Sequence, residues 1–195
     1  GSMHMFSKEN NFYGGHGIVG AQVPIGTGIA FTLKYEKSKN ICRTYIGDGA
    51  MNNGQVFESF NLASLWKLPV LYIIENNQYG MGTSVSRASA GGDLYKRGES
   101  FDIPGQKVDG MNVFKVREAA YKAGDYVRKG NGPYILEVQT YRYRGHSMSD
   151  PAKYRTKEEL ENYKETDPIE IVKKEILNKK FATEEEITKI NKDTL

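Results

Sequence analysis

The chain has a single cysteine, Cys42, so it forms no internal disulfide and no cysteine-built metal site. That usage fits a reducing compartment, and Cys42 sits in an apolar run where packing is its expected role. No apolar stretch approaches the roughly 18 residues that a membrane-crossing helix needs. Long runs of one charge are missing too: 27 basic and 24 acidic residues are intermixed to a net charge of +3, which argues against a nucleic-acid partner. Gly1-Ser2-Met3 carries no apolar leader and resembles an expression scar, so native residues upstream are expected to have been removed. Internal repeats and low-complexity blocks are absent. What remains is an ordinary globular composition, 38% hydrophobic and 26% charged over 195 residues, enough for one substantial core with a trailing extension.

Three β-branched-rich apolar runs read as buried parallel strands: Ile41 to Ile46, Val70 to Glu75 and Tyr134 to Tyr141. Helical patterns alternate with them. Pro24 to Tyr35 precedes the first strand. Gln55 to Trp66 follows it, with Val56, Phe57, Phe60, Ala63 and Leu65 on an apolar face and Pro69 as the stop. A Gly/Ser-rich loop from Tyr79 to Gly98, a short run around Val108 and a helix from about Val116 to Arg128 lead to the third strand. This alternation predicts an α/β fold: a doubly wound, mostly parallel sheet with helices on both faces. From about Thr156 the chain turns Lys/Glu-rich, with helix starts at Asp167-Pro168 and Thr183-Glu184-Glu185-Glu186. The expected division is residues 1–155 as the ligand-binding domain and residues 156–195 as a helical C-terminal extension.

Ligands of open parallel sheets bind beyond the carboxyl ends of the strands. The loops there are Gly47-Asp48-Gly49-Ala50, Asn76-Asn77-Gln78-Tyr79-Gly80 and Arg144-Gly145-His146-Ser147, which bring a carboxylate, an amide and an imidazole to one edge. Asp48 between glycines, ahead of a helix, joins an anionic oxygen to backbone amides that a ligand can approach closely. That combination suits a diphosphate carried by Mg2+, which takes hard oxygen ligands and leaves part of its shell to phosphate and water. Each motif alone reads more readily as a strand-ending turn or a loop filler than as a site; the pair, each directly after a buried strand, reverses that balance.

Gly47-Asp48-Gly49, followed after 26 intervening residues by Asn76-Asn77, resembles the thiamine diphosphate signature. Beyond it, Phe12-Tyr13-Gly14-Gly15, Leu65-Trp66-Lys67-Leu68-Pro69, Tyr79-Gly80-Met81-Gly82-Thr83-Ser84 and the run from Tyr141-Arg142-Tyr143-Arg144 through Gly145-His146-Ser147-Met148-Ser149-Asp150-Pro151 are similar to the E1 alpha subunits of the 2-oxo acid dehydrogenases. The last run is nearer to the pyruvate members than to the branched-chain ones.

That resemblance implies a thiamine diphosphate-binding fold, with thiamine diphosphate and Mg2+ as cofactors. It makes Asp48, the Asn77 amide and the Tyr79 carbonyl the metal ligands. The amides of Gly49 and Ala50 would meet the diphosphate, and backbone groups of Gly17 and Val19 the aminopyrimidine. Val19 or Met81 would be the apolar wedge that bends the cofactor, if neither is simply core. His146 would reach the reacting centre as the catalytic imidazole, since histidine exchanges protons near neutrality. The implied activity is oxidative decarboxylation of pyruvate, or of a related 2-oxo acid or acetoin, with acetyl transfer to lipoyl groups of the E2 acetyltransferase. It further implies an E1 beta partner in an alpha-two beta-two heterotetramer, where beta supplies the glutamate that activates the cofactor. Ser147 matches a serine phosphorylated in mitochondrial members, but a second such serine is missing from Asp150-Pro151-Ala152-Lys153-Tyr154, so kinase control is not expected. The unadorned Lys/Asn/Ile-rich composition favours a bacterial cytoplasm over a mitochondrial matrix.

Two rival readings come from other classes. Gly15-His16-Gly17-Ile18-Val19-Gly20 fits a dinucleotide-binding glycine pattern, but Ser7-Lys8-Glu9-Asn10-Asn11 ahead of it does not read as the apolar strand such a pattern needs. A non-enzymatic scaffold would give Asp48, Asn77 and His146 no reason to converge.

Overall fold

The computed structural model describes residues 4–194; the expected scar at Gly1-Ser2-Met3 lies outside the described residues. In chain order the elements are α1 (Gln22–Tyr35), β1 (Cys42–Gly47), α2 (Gly54–Leu65), β2 (Val70–Asn76), the hairpin strands β3 (Tyr79–Gly80) and β4 (Thr83–Ser84), and α3 (Val85–Ala88). They continue with β5 (Gly105–Asp109), α4 (Val113–Arg128), β6 (Tyr134–Gln139), α5 (Lys157–Glu165), α6 (Pro168–Asn178) and α7 (Glu184–Thr194). Short 3₁₀ segments at Gly49–Asn52 and Leu94–Phe101 complete the set.

The main sheet has the order β1-β2-β6-β5 and every neighbouring pair is parallel. Side-chain alternation sorts the central strand β2 between two cores. Val70, Tyr72 and Ile74 face the layer of α1 and α2 with Val23, Val56, Phe60 and Ala63. Leu71 and Ile73 face α4 with Ala119, Ala123 and Val127. Helices therefore cover both faces, the doubly wound arrangement that the alternating pattern predicts. Phe60 and Tyr72 pack with their rings tilted at a centroid distance of 4.8 Å, both at most 1% exposed. Burying a side chain of that size contributes about 1.5–3 kcal/mol.

Several expectations need correction. β1 is an edge strand with only its α1/α2 face covered, so Thr44 and Ile46 are buried while Tyr45 is 50% exposed; it is not buried on both faces. Cys42 packs beside that core, and burial pushes its thiol up. The run around Val108 is a full sheet strand, β5, paired with β6. The segment read as a Gly/Ser-rich loop contains a hairpin, α3 and the start of the second 3₁₀ segment. α4 begins at Val113 because the Asn112 side chain accepts the Phe114 and Lys115 amides, a cap upstream of the hydrophobic periodicity. β6 stops at Gln139, and Tyr141 belongs to a separate aromatic cluster with Tyr79 and Met111.

The C-terminal helices form where their caps predict. Asp167 accepts the Ile169 amide ahead of Pro168, and Thr183 and Glu186 exchange a reciprocal capping pair. α5 packs Leu160 and Tyr163 onto the aromatic cluster; α5, α6 and α7 contain no buried residue.

Candidate functional site

Parallel pairing in register puts the carboxyl ends of the strands level: Gly47 lies opposite Glu75, and Asn76 and Asp109 both lie opposite Gln139. The loops after β1 and β2 consequently leave the sheet side by side. Asp48 is 2% exposed and opens the 3₁₀ turn Gly49–Asn52. Amides at such a start have no partner within the turn, so those of Gly49 and Ala50 are donors available to an anion.

The two loops press backbone to backbone. A Cβ on Gly49 would lie 3.1 Å from the Gly80 Cα, and one on Gly80 the same distance from the Gly49 Cα, so glycine at both positions is what lets the loops touch. Asp48 is thereby brought beside the second motif, where the nearby backbone amides of Asp48 and Asn77 favour its charged form. Burial pushes the Asp48 carboxyl above the usual carboxylate range, opposed by those two amides and by the Arg142 guanidinium.

On the β2 side, Asn77 Oδ1 accepts the Tyr79 amide at 3.3 Å, and Gln78 between them takes a left-handed φ of 75°. The Tyr79 carbonyl accepts Arg142 Nη1 at 3.2 Å and the Met81 carbonyl accepts Nη2 at 2.5 Å. Asn77 Oδ1 and the Tyr79 carbonyl each keep a second lone pair. One carboxylate, one amide oxygen and one backbone carbonyl form a hard, singly charged donor set that suits Mg2+. Among the described residues no group of three or more His, Cys, Asp or Glu is arranged to hold a metal, which leaves this mixed oxygen set as the candidate.

The structure thus brings Asp48, Gly49, Ala50, Asn77 and Tyr79 together. His146 lies in an exposed loop joined to the Tyr79 loop through Arg142, whose Nη1 is 3.4 Å from His146 Nδ1, and through Asp150 and Tyr154. Asp150 shapes that loop by accepting the amides of His146 (2.7 Å) and Ala152 (2.8 Å) and the Tyr154 hydroxyl (2.8 Å). Those bonds hold its carboxyl down at about 2. Gly17 lies beside the His4 ring, and the Val19 carbonyl accepts Asn53 Nδ2 (3.1 Å) and Gln55 Nε2 (3.4 Å), which ties this segment to the start of α2. Val19 and Met81 are 65% and 66% exposed, so neither is core.

Sequence reasoning assigned no role to Arg142, Asp150 or Glu159. Arg142 links the Tyr79 loop to the histidine loop, and Glu159 on α5 accepts the hydroxyls of Tyr79 and Tyr141, both at 2.9 Å. Arg142 and Asp150 stand in a motif run, but extended chain has no periodicity from which their contacts could be read. The glycine pattern at residues 15–20 follows only an isolated bridge between Ser7 and Phe12 rather than a strand, so it lacks the context of a dinucleotide fingerprint.

The family model of the dehydrogenase E1 component matches residues 1–195, the whole chain. This chain belongs to the dehydrogenase E1 component family. It is 62% identical over 190 residues to the pyruvate dehydrogenase E1 component subunit alpha of Rickettsia felis, an alignment covering 97% of this chain and 58% of that protein. The Rhizobium meliloti protein of the same name is 62% identical over 194 residues, covering 99% of this chain and 56% of the relative. The mitochondrial alpha subunit of Dictyostelium discoideum is 59% identical over 192 residues, covering 97% and 50%. This E1-family chain therefore spans between 50% and 58% of the length of these relatives. None of its described helices is long and apolar enough to cross a membrane.

Proposed function

We propose that this chain is the diphosphate-anchoring portion of the alpha subunit of a pyruvate dehydrogenase E1 component, which binds thiamine diphosphate through Mg2+. The observation that carries the reading is the meeting of Asp48 and Asn77 from two strand ends across the Gly49–Gly80 contact. Family membership and relatives named as pyruvate dehydrogenase E1 alpha subunits support it.

Asp48, Asn77 Oδ1 and the Tyr79 carbonyl would hold the metal, and the Gly49 and Ala50 amides the diphosphate. When bound, thiamine diphosphate supplies the carbanion and the electron sink for decarboxylating a 2-oxo acid. The chain's own residues position and shield. Gly17 and Val19 would line the aminopyrimidine side with backbone groups, and Val19 or Met81 would supply the apolar wedge. His146 moves a proton at its imidazole, with Arg142 and Asp150 setting where that ring stands. Glu137 and Glu159, which bond residues of these loops, are committed to other donors, in keeping with a cofactor-activating glutamate on an E1 beta subunit. The assembly is then an alpha-two beta-two heterotetramer that passes acetyl groups to the lipoyl groups of the E2 acetyltransferase. Residues 1–155 form the cofactor domain, and residues 156–195 the helical extension docked through α5. Bacterial relatives favour a bacterial cytoplasm, where control through Ser147 is not expected.

The test is to assemble the full-length chain with its beta partner and assay pyruvate decarboxylation that depends on thiamine diphosphate and Mg2+. Activity that collapses in Asp48→Ala and in His146→Ala supports the reading. A correctly assembled wild type that turns over no 2-oxo acid overturns it; preference for acetoin or a branched-chain acid over pyruvate would change only the substrate.

A further inference from the structure

Glu137 is a carboxylate with 0% exposure in β6, between β2 and β5, and none of the ion pairs among the described residues includes it. A buried carboxylate without a paired cation persists only if hydrogen bonds replace its water. Here two do: Asn76 Nδ2 donates to Oε1 at 2.7 Å, and the Tyr95 amide donates to Oε2 at 3.0 Å. The two donors come from different segments. Asn76 ends β2 and opens the second motif loop. Its Oδ1 accepts the Gln78 amide at 3.2 Å and Gln78 Nε2 at 3.1 Å, and so holds the left-handed Gln78 that presents Asn77 and Tyr79. Such a backbone conformation in a non-glycine residue needs surroundings that fix it.

Tyr95 belongs to the 3₁₀ segment Leu94–Phe101, and two residues on, Arg97 Nη1 donates to the Met51 carbonyl at 2.8 Å. Met51 is fully buried in the turn Gly49–Asn52, which Asp48 opens. One segment therefore grips both motif loops, through Glu137 to the Asn76 side and through Arg97 to the Asp48 side. The loops also meet each other at Gly49 and Gly80. Burial of the Arg97 guanidinium lowers its pKa, the mark of a cation drawn out of water, and the Glu137 charge opposes that shift.

We propose that Arg97 and Glu137 are positioning residues that set the spacing between Asp48 and Asn77, so that the segment Leu94–Phe101 braces the metal–diphosphate site without contacting its ligand. This rests on the proposed reading of that site. Loss of the brace leaves every ligand in place but lets the two loops separate, so it costs cofactor affinity more than the chemical step.

The experiment uses the full-length chain assembled with its beta partner and titrates Mg2+ with thiamine diphosphate by calorimetry. It also measures kcat at saturating cofactor and thermal unfolding without cofactor. Arg97→Met and Glu137→Gln are each expected to weaken cofactor binding about ten- to a hundredfold, the range for residues that orient metal ligands. kcat should fall several-fold less, and Arg97→Lys, which keeps charge and one donor, should lie between Arg97→Met and wild type. Asp48→Ala is the control for the site itself. If Asp48→Ala loses binding while Arg97→Met binds within twofold of wild type, the brace is overturned and the site stands, whatever happens to the unfolding temperature. If Asp48→Ala binds like wild type, the site reading fails and the brace falls with it. Should Glu137→Gln not assemble, the Arg97 pair alone decides.

Discussion

The two motif loops and the histidine loop share one edge of the sheet but are held in different ways. Asp48 and Asn77 stand on strand ends backed by a packed core, and their loops meet through glycines with no room for a side chain. The His146 loop lies several residues beyond the end of β6, is exposed, and is shaped by bonds among Arg142, Asp150 and Tyr154. The proposed binding loops are thus held by packed backbone, whereas the proposed proton-handling imidazole sits on a segment that polar contacts order. Division of this kind lets an anchor stay fixed while the reacting edge admits substrate and partner.

The largest expected effect separates the halves outright. On the proposed function, Asp48→Ala in the assembled protein should lose at least about a thousandfold in cofactor-dependent turnover together with cofactor binding, since it removes the only charged member of the proposed ligand set. His146→Ala should lose turnover with binding intact, and equal loss of binding in both variants would erase the comparison. Next, Gly49→Ala forces a Cβ against Gly80 and should destabilise the chain by about 1–3 kcal/mol while weakening cofactor binding, read by denaturant unfolding and titration. Asp150→Asn should slow turnover about tenfold and speed proteolysis within residues 145–150, because the amides it accepts lose a charged partner. Asp150 is held at about 2, below the roughly 4 of an unfolded Asp, so its ordering of this loop is complete above about pH 4 and is lost as pH falls through about 2. Protease resistance of the loop that instead declined between pH 7 and 5 would contradict that assignment.

A smaller effect of opposite sign is expected at Asp48 itself. Its buried charge, whose pKa burial raises despite the Arg142 guanidinium, opposes folding when no metal ion is present, so Asp48→Asn should stabilise the cofactor-free chain by about 1 kcal/mol in thermal unfolding. Least of all, Glu118→Gln on the exposed face of α4 should leave the thermal unfolding midpoint unchanged, since it breaks only the solvent-exposed pair with Lys122.

Much of this was legible in the sequence. The runs ahead of Asp48 and Asn77 are strands, the helices between them lie on both faces, and the caps at Asp167 and Thr183 act as their residue types predict. β1 was misread as doubly covered because a short apolar run does not show whether a helix lies on its second face; Tyr45 has none. β5 was missed as a strand because Gln106, Lys107 and Asp109 dilute its apolar signal, and pairing with β6 supplies what propensity does not. Glu137 gave no signal either, since a lone glutamate in an apolar strand looks the same whether its partners come from two loops or none.

Local chemistry alone determined the elements and the motif spacing, because periodicity, caps and glycine positions act over a few residues. Only the tertiary structure decided what touches what: that Asp48 meets the Asn77 amide, that Arg142 joins Tyr79 to His146, and that one segment reaches Met51 and Glu137 together. Those contacts depend on strand order and register, which bring together residues between 4 and 63 positions apart in the chain, and no local pattern encodes that pairing.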